Sequence, residues 1–262
     1  MTHIPRKRFG QHFLHDPGIV AKIVGAINGD AEQHLVEIGP GGGAITAGLL
    51  AACSRLDVIE LDRDLIAPLE KRVGPNNKLH IHSQDALKTD FCALQESGEK
   101  LRLVGNLPYN ISTPLLFRLL DQLACVEDMH FMLQKEVAER IAARPGSGAY
   151  GRLSVMLQYR CAVQVLFLTG PAAFKPRPKV ESAFIRLTPH AKPPVAVEDE
   201  SAFNRIVRQA FCHRRKTLRN ALRSLLDADA IRAAGVDPAL RPEQLGLSDF
   251  AALSHNLCPS SS

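Results

Sequence analysis

Residues 35–46, "LVEIGPGGGAIT", run from an apolar strand pattern through a glycine-rich turn into the start of a helix. Gly39, Gly41 and Gly43 remove Cβ atoms where a ligand must approach backbone, and the helix N-terminus that follows offers N–H donors. Residues 39–44 satisfy the pattern G-x-G-x-x-A, and Glu60 closes the next apolar run, where nucleotide folds carry a ribose-binding acid. Alone, this motif fits a dinucleotide, S-adenosylmethionine, or a tight turn with no ligand.

Outward from that turn, apolar runs recur at 35–38, 58–60, 79–82, 101–104 and 129–133, with helical patterns between them. Such alternation predicts an α/β fold whose mostly parallel sheet carries helices on both faces. Two further β-like runs, 163–168 and 183–187, flank the proline-rich "GPAAFKPRPKVES" and predict an antiparallel hairpin at the sheet edge, for seven strands in all. The stretch "PHAKPPVAVEDES" holds three prolines without periodicity and reads as a linker. The predicted division is therefore a Rossmann-like α/β domain over 1–190 and a small all-α domain over 191–262.

The 262 residues, 45% of them hydrophobic, suffice for a large core. A net charge of +5 and a pI near 9.0 favour a polyanionic partner. Cys53, Cys92, Cys125, Cys161, Cys212 and Cys258 form no CxxC pair, which argues against a zinc site or a disulfide framework and suits a reducing cytosol. No run approaches the roughly 18 apolar residues of a membrane span. The expectation is a soluble, cytoplasmic monomer that binds neither metal nor membrane.

Glu60 in "DVIELDRD", Asp85 in "HSQDAL" and Asn106 in "VGNLPY" each follow a different predicted strand. Open α/β sheets bind ligands at that rim. Glu60 offers two acceptors to a ribose, and Asp85 one to an exocyclic amine. S-adenosylmethionine has no pyrophosphate and carries a positive sulfonium, so acidic walls suit it better than a dinucleotide.

In "LRLVGNLPYNIS" an amide, a rigid peptide and an aromatic ring stand together. The amine of a nucleobase is a poor nucleophile because its lone pair is delocalised into the ring. The Asn106 oxygen and a carbonyl from Leu107–Pro108 would accept its two N–H bonds, while Tyr109 offers a stacking face. Together they form a clamp for a flipped base. Phe174, among Pro171, Pro176 and Pro178 and the cations Lys175, Arg177 and Lys179, is the candidate second face.

The segments "RKRFGQHFLHD", "EIGPGGGAIT", "VIELDRD", "GNLPYNIS", "MLQKEVAERI", "AYGRLSV" and "FKPRPKVES", in this order, resemble the ribosomal RNA adenine N6-dimethyltransferases, most closely the bacterial small-subunit enzymes. The resemblance implies that His12, Leu14, Gly39, Glu60, Asp85 and Asn106 contact S-adenosylmethionine. It also implies that Asn106, Leu107, Pro108, Tyr109 and Phe174 handle the target adenine. His12 departs from the family's usual Asn. The implied substrate is a pair of adjacent adenosines in the 3′-terminal hairpin loop of 16S rRNA, each dimethylated within an immature small subunit.

Between residues 201 and 226 stand Arg205, Arg208, Arg214, Arg215, Lys216, Arg219 and Arg223 and no acid. Apolar residues recur there at helical spacing, so one face packs and a single-signed face is left to bind phosphates. Two other readings stay open: the related large-subunit rRNA dimethyltransferase that confers antibiotic resistance, and a non-catalytic ribosome-assembly factor.

Overall fold

A computed structural model describes residues 11–257 apart from Ser97 and Arg214. Residues 6–10 of "RKRFGQHFLHD", together with Arg214 and Cys258, lie outside the described residues.

The first helix shows how local sequence sets an element. Asp16 caps α1 (Pro17–Ile27) by accepting from the N–H groups of Gly18 and Ile19, and Pro17 occupies the first turn, where no N–H is needed. Asn28 in the left-handed region ends it, and Ile23 and Ile27 face the core.

Seven strands form the main sheet, in the order β4-β3-β2-β5-β6-β9-β7. These are β2 (His34–Ile38), β3 (Arg55–Ile59), β4 (Leu79–His82), β5 (Leu101–Asn106), β6 (Val126–Gln134), β7 (Cys161–Thr169) and β9 (Ser182–Pro189). The five from β4 to β6 run parallel, β9 pairs antiparallel with β6, and β7 lies outermost. Such a mostly parallel, seven-stranded Rossmann-like sheet is what the alternating runs predicted. All five residues of β2 are buried, as a strand covered on both faces requires. The helices α2 (Thr46–Ala51), α3 (Ile66–Val73) and α4 (Ser112–Leu120) bridge successive parallel strands. A separate two-stranded sheet pairs β1 (Phe13–Leu14) with β8 (Phe174–Lys175).

Two charged clusters inside the sheet are fully partnered. Arg55, His34 and His82 converge on Asp57, which is completely buried. Burial alone would raise the Asp57 carboxyl, but the hydrogen bonds from His34, Arg55 and His82 hold it far below the usual carboxylate range. At the start of β5, Arg102 makes a two-pronged ion pair with Asp128, both contacts 2.9 Å, and also donates to the Ile27 carbonyl at 2.7 Å. That contact ties the end of α1 to the sheet.

Cys92 and Cys125 are joined by a disulfide. This corrects the expectation drawn from scattered spacing, because their Cα atoms, 33 residues apart in sequence, lie only 5.4 Å apart in space.

The chain divides into two compact units, one of residues 1–138 and 163–189, the other of 139–162 and 190–262. The break at 189/190 falls in the predicted linker, but the division at a single point is corrected: 139–162 packs with the C-terminal helices. Aromatic contacts join the two. In the second unit, α6 (Arg152–Arg160) places Tyr159 4.7 Å from Phe203 of α7 (Glu200–Cys212), ring centre to ring centre, and Tyr150 stands 6.2 Å from Phe211. α7 buries Phe203, Ile206, Val207 and Ala210, and α8 (Leu218–Ala221) restarts the helix after a break. The helical spacing read across 201–226 is therefore interrupted. Arg205, Arg208, Arg215, Lys216, Arg219 and Arg223 are all exposed.

Candidate active site

A cavity of about 290 Å³ opens at the carboxyl ends of β2, β3 and β5, and one wall of it is the N-terminal segment around β1. Glu60, Asp85 and Asn106 come together on it, as do Gly39, His12, Leu14, Leu107, Pro108 and Tyr109.

The glycine turn is shaped by backbone need. Gly39, Gly41 and Gly43 have φ of +68, +55 and +72°, a region that L side chains rarely adopt. A Cβ on Gly41 would stand 2.7 Å from the Phe13 ring, so β1 lies directly on the turn. A Cβ on Gly39 would meet nothing nearer than Pro108 Cδ at 4.0 Å, so this glycine borders open space where a ligand fits.

The rim is acidic. Glu60 accepts from the N–H of Asp62 at 2.8 Å and of Gly41 at 3.3 Å, one bond to each oxygen. Burial pushes its carboxyl up, and those two N–H groups offset only part of the push. Asp85 is half-buried and accepts from the Leu87 N–H at 2.9 Å, a local turn that fixes its carboxylate. Glu37, which the sequence reading passed over inside an apolar run, is 1% exposed and receives the Thr46 hydroxyl at 2.7 Å. Burial raises it to about 7, against the pull of Thr46 and with a further push from Glu60. An acid inside a strand that enters a glycine turn was the available signal.

The orientation of Asn106 is settled by its neighbour. Its Nδ2 donates to the His12 main-chain carbonyl at 2.8 Å, which leaves Oδ1 as the acceptor. The Pro108 carbonyl already accepts from the N–H groups of Ile111 and Ser112, both at 3.1 Å. The Leu107 carbonyl is thus the better placed second acceptor. Tyr109 lies half-buried, its hydroxyl 2.8 Å from that of Ser182, and burial raises its phenol although Ser182 pulls the other way.

His12 holds more than its sequence position suggested. Its Nδ1–H donates to the Pro176 carbonyl at 2.8 Å, its main chain orients Asn106, and its ring centre is 5.2 Å from that of Tyr109. The bond to Pro176 occupies one of its two ring nitrogens. Gln11 donates to Asp62 at 3.3 Å and fastens the same segment to the acidic rim. Sequence gave no sign of this strap, which depends on pairing between residues far apart in the chain.

Phe174 is not brought to the cavity. It is 1% exposed and packs in the core with Leu14, Ile23, Met132 and Phe184. The β1–β8 pairing, Leu14 opposite Phe174, turns its ring inward. The cations around it do reach solvent: Lys175, Arg177 and Lys179 are exposed.

No described helix is long and apolar enough to cross a membrane. Among the described residues no group of three or more His, Cys, Asp or Glu side chains is placed to hold a metal ion.

The sequence profile of a family described as "Ribosomal RNA adenine dimethylase" matches residues 2–256. A Pseudomonas aeruginosa protein named Ribosomal RNA small subunit methyltransferase A is 58% identical over 255 residues, 97% of this chain and 95% of its own length. A Marinomonas protein of the same name is 52% identical over 253 residues, again 97% and 95%. Among solved structures, a dimethyladenosine transferase from Plasmodium falciparum matches with a TM-score of 0.78 at 26% identity, covering 92% of this chain and 96% of that one. The 23S rRNA methyltransferase ErmE shares the fold, with a TM-score of 0.71 at 23% identity over 94% and 99% of the two chains. The matched span, residues 2–256, takes in the glycine turn, the strand-end acids and the C-terminal helices, and the chain belongs to the ribosomal RNA adenine dimethylase family.

Proposed function

We propose that this chain transfers methyl groups from S-adenosylmethionine to N6 of adenosines in the RNA of the small ribosomal subunit. The finer target is the pair of adjacent adenosines in the 3′-terminal hairpin loop of 16S rRNA, each dimethylated in an immature subunit. The observation that carries the reading is the Asn106 amide, turned by the His12 carbonyl so that its oxygen is the free acceptor at an acidic rim.

Glu60, Asp85, Gly39, Leu14 and the His12 segment would hold the methyl donor. They fit it because the cavity pairs carboxylates with apolar walls, as a cationic nucleoside requires. When bound, that cofactor supplies an electrophilic methyl on a sulfonium, whose leaving group is a neutral thioether. Asn106 Oδ1 and the Leu107 carbonyl accept the two N–H bonds of the adenine amine and draw its nitrogen toward a tetrahedral, nucleophilic geometry. Pro108 limits the backbone that carries this carbonyl to one φ. Tyr109 stacks on the base. The exposed cations of the 175–179 loop, and those of the α7–α8 region, would take neighbouring phosphates.

Action as a monomer is part of this reading, and an rRNA substrate supports a cytoplasmic site. Small subunits from cells lacking this activity, incubated with the protein and radiolabelled methyl donor, should take up label at two adjacent adenosines. Asn106→Ala should lower turnover on the order of 100-fold, with particle binding within a few-fold of wild type. Label in large-subunit RNA, or wild-type turnover by that variant, would overturn the reading.

A further inference from the structure

The clamp described above uses the ring of Tyr109 and leaves its phenol without a purpose. The phenol oxygen shares a 2.8 Å hydrogen bond with the hydroxyl of Ser182, a residue that is 0% exposed. Ser182 opens β9 opposite Gln134, the last residue of β6, and beside it the Lys135 N–H donates to the Glu181 carbonyl at 2.9 Å. Its Cα therefore belongs to the rigid antiparallel ladder. At the other end of the tyrosine, the main-chain carbonyl accepts from the Ser112 hydroxyl at 3.2 Å, and Ser112 opens α4 with 1% exposure.

Tyr109 is thus held at both ends, by α4 at its main chain and by β9 at its phenol. A Tyr side chain has two rotatable bonds and its phenol oxygen lies on the axis of the second, so holding main chain and phenol fixes the first torsion and with it where the ring stands. A buried hydroxyl that loses its partner has no water to replace it, so the broken state is costly. The neighbouring His12 ring, tilted 33° to that of Tyr109, closes one side of the remaining space.

We propose that Ser182 is a positioning residue for methyl transfer: through the phenol it fixes where the Tyr109 ring stands, so that a base stacked there presents its amine to Asn106. This role rests on the reading that Tyr109 stacks the target base. It explains why position 109 carries a tyrosine, when stacking alone would be served by phenylalanine. It also gives Ser182, the last residue of "FKPRPKVES", a task separate from the phosphate contacts of the loop before it.

The test uses the full chain with small subunits as substrate. Ser182→Ala and Tyr109→Phe each delete one hydroxyl and keep the ring, and each should lower kcat about fivefold, the worth of one neutral hydrogen bond. The double variant should be no slower than either single one, because both changes remove the same bond. Affinity for S-adenosylmethionine, measured by calorimetry, should not change.

The chain has three tyrosines and no tryptophan, so labelling with 3-fluorotyrosine gives three resolvable resonances. The one that Tyr109→Phe deletes should move in Ser182→Ala, while those of Tyr150 and Tyr159 stay in place. Multiplying losses in the double variant, or an unmoved Tyr109 resonance, would overturn the proposal. So would wild-type turnover by Tyr109→Phe, however the serine variant folds. Tyr109→Leu separates the two ideas, since wild-type turnover without any ring would remove the stacking reading itself.

Discussion

Glu37 holds its proton to a higher pH than its position in the chain announces. Burial raises its carboxyl from 4.5 to about 7, so between those values the folded protein binds a proton that the unfolded chain has released. Stability must then fall as pH rises through that window, because a carboxyl whose pKa is raised in the fold is penalised on ionising there. Glu37→Gln should remove on the order of 3 kcal/mol of this pH dependence, at 1.36 kcal/mol per unit. Denaturant unfolding of both proteins at pH 4.5, 6 and 8 measures it, and parallel curves would show that Glu37 ionises freely. Glu60, Asp85 and Asn106 were legible as neighbours on one cavity because strand ends in an open α/β sheet converge on one rim. Glu37 was not, since an isolated carboxylate among apolar neighbours reads as part of the strand.

The glycine turn and the β1–β8 pair act as one element although β1 precedes the turn and β8 follows it about 130 residues later. Gly41 has a φ of +55°, and a Cβ there would press on Phe13 at 2.7 Å. Gly41→Ala should therefore cost roughly 1–2 kcal/mol for the left-handed backbone alone. It should also weaken methyl-donor binding by displacing the segment that carries His12. Gly42 offers the control: a Cβ there meets no atom within 4 Å, and its φ is ordinary, so Gly42→Ala should be nearly neutral for stability. Chemical unfolding and calorimetry on the pair of variants decide the point; equal stabilities would remove Phe13 from the turn. Phe174 belongs to the same scale. A proline-rich loop with alternating cations suggested a presented aromatic, and only its pairing with Leu14 shows which way the ring faces.

For the molecule as a whole, the basic face of the C-terminal helices is the feature that charge and spacing made visible. Arg215 and Arg219 are exposed, and neutralising both as Arg215→Gln/Arg219→Gln should weaken binding to the small subunit. It should also lower the salt dependence by about 0.7–0.9 log units per lost phosphate contact. Binding titrations at several salt concentrations read the slope, and an unchanged slope would return these residues to a merely solvated face. The affinity for S-adenosylmethionine should be unaffected. What the sequence determined by itself is what repeats or punctuates locally: the parallel strands, the glycine turn, the strand-end acids, the amide–proline–tyrosine run and the one-signed helical face. Each follows from a period, a missing Cβ or a charge count within a few residues. The tertiary structure decided the rest. It joined Cys92 to Cys125, turned Phe174 inward, fixed the Asn106 amide on the His12 carbonyl and drew 139–162 into the helical unit through Tyr150 and Tyr159. Every one of those depends on contacts between residues 33 or more positions apart, whose partners are chosen by packing of the completed core and not by any pattern along the chain.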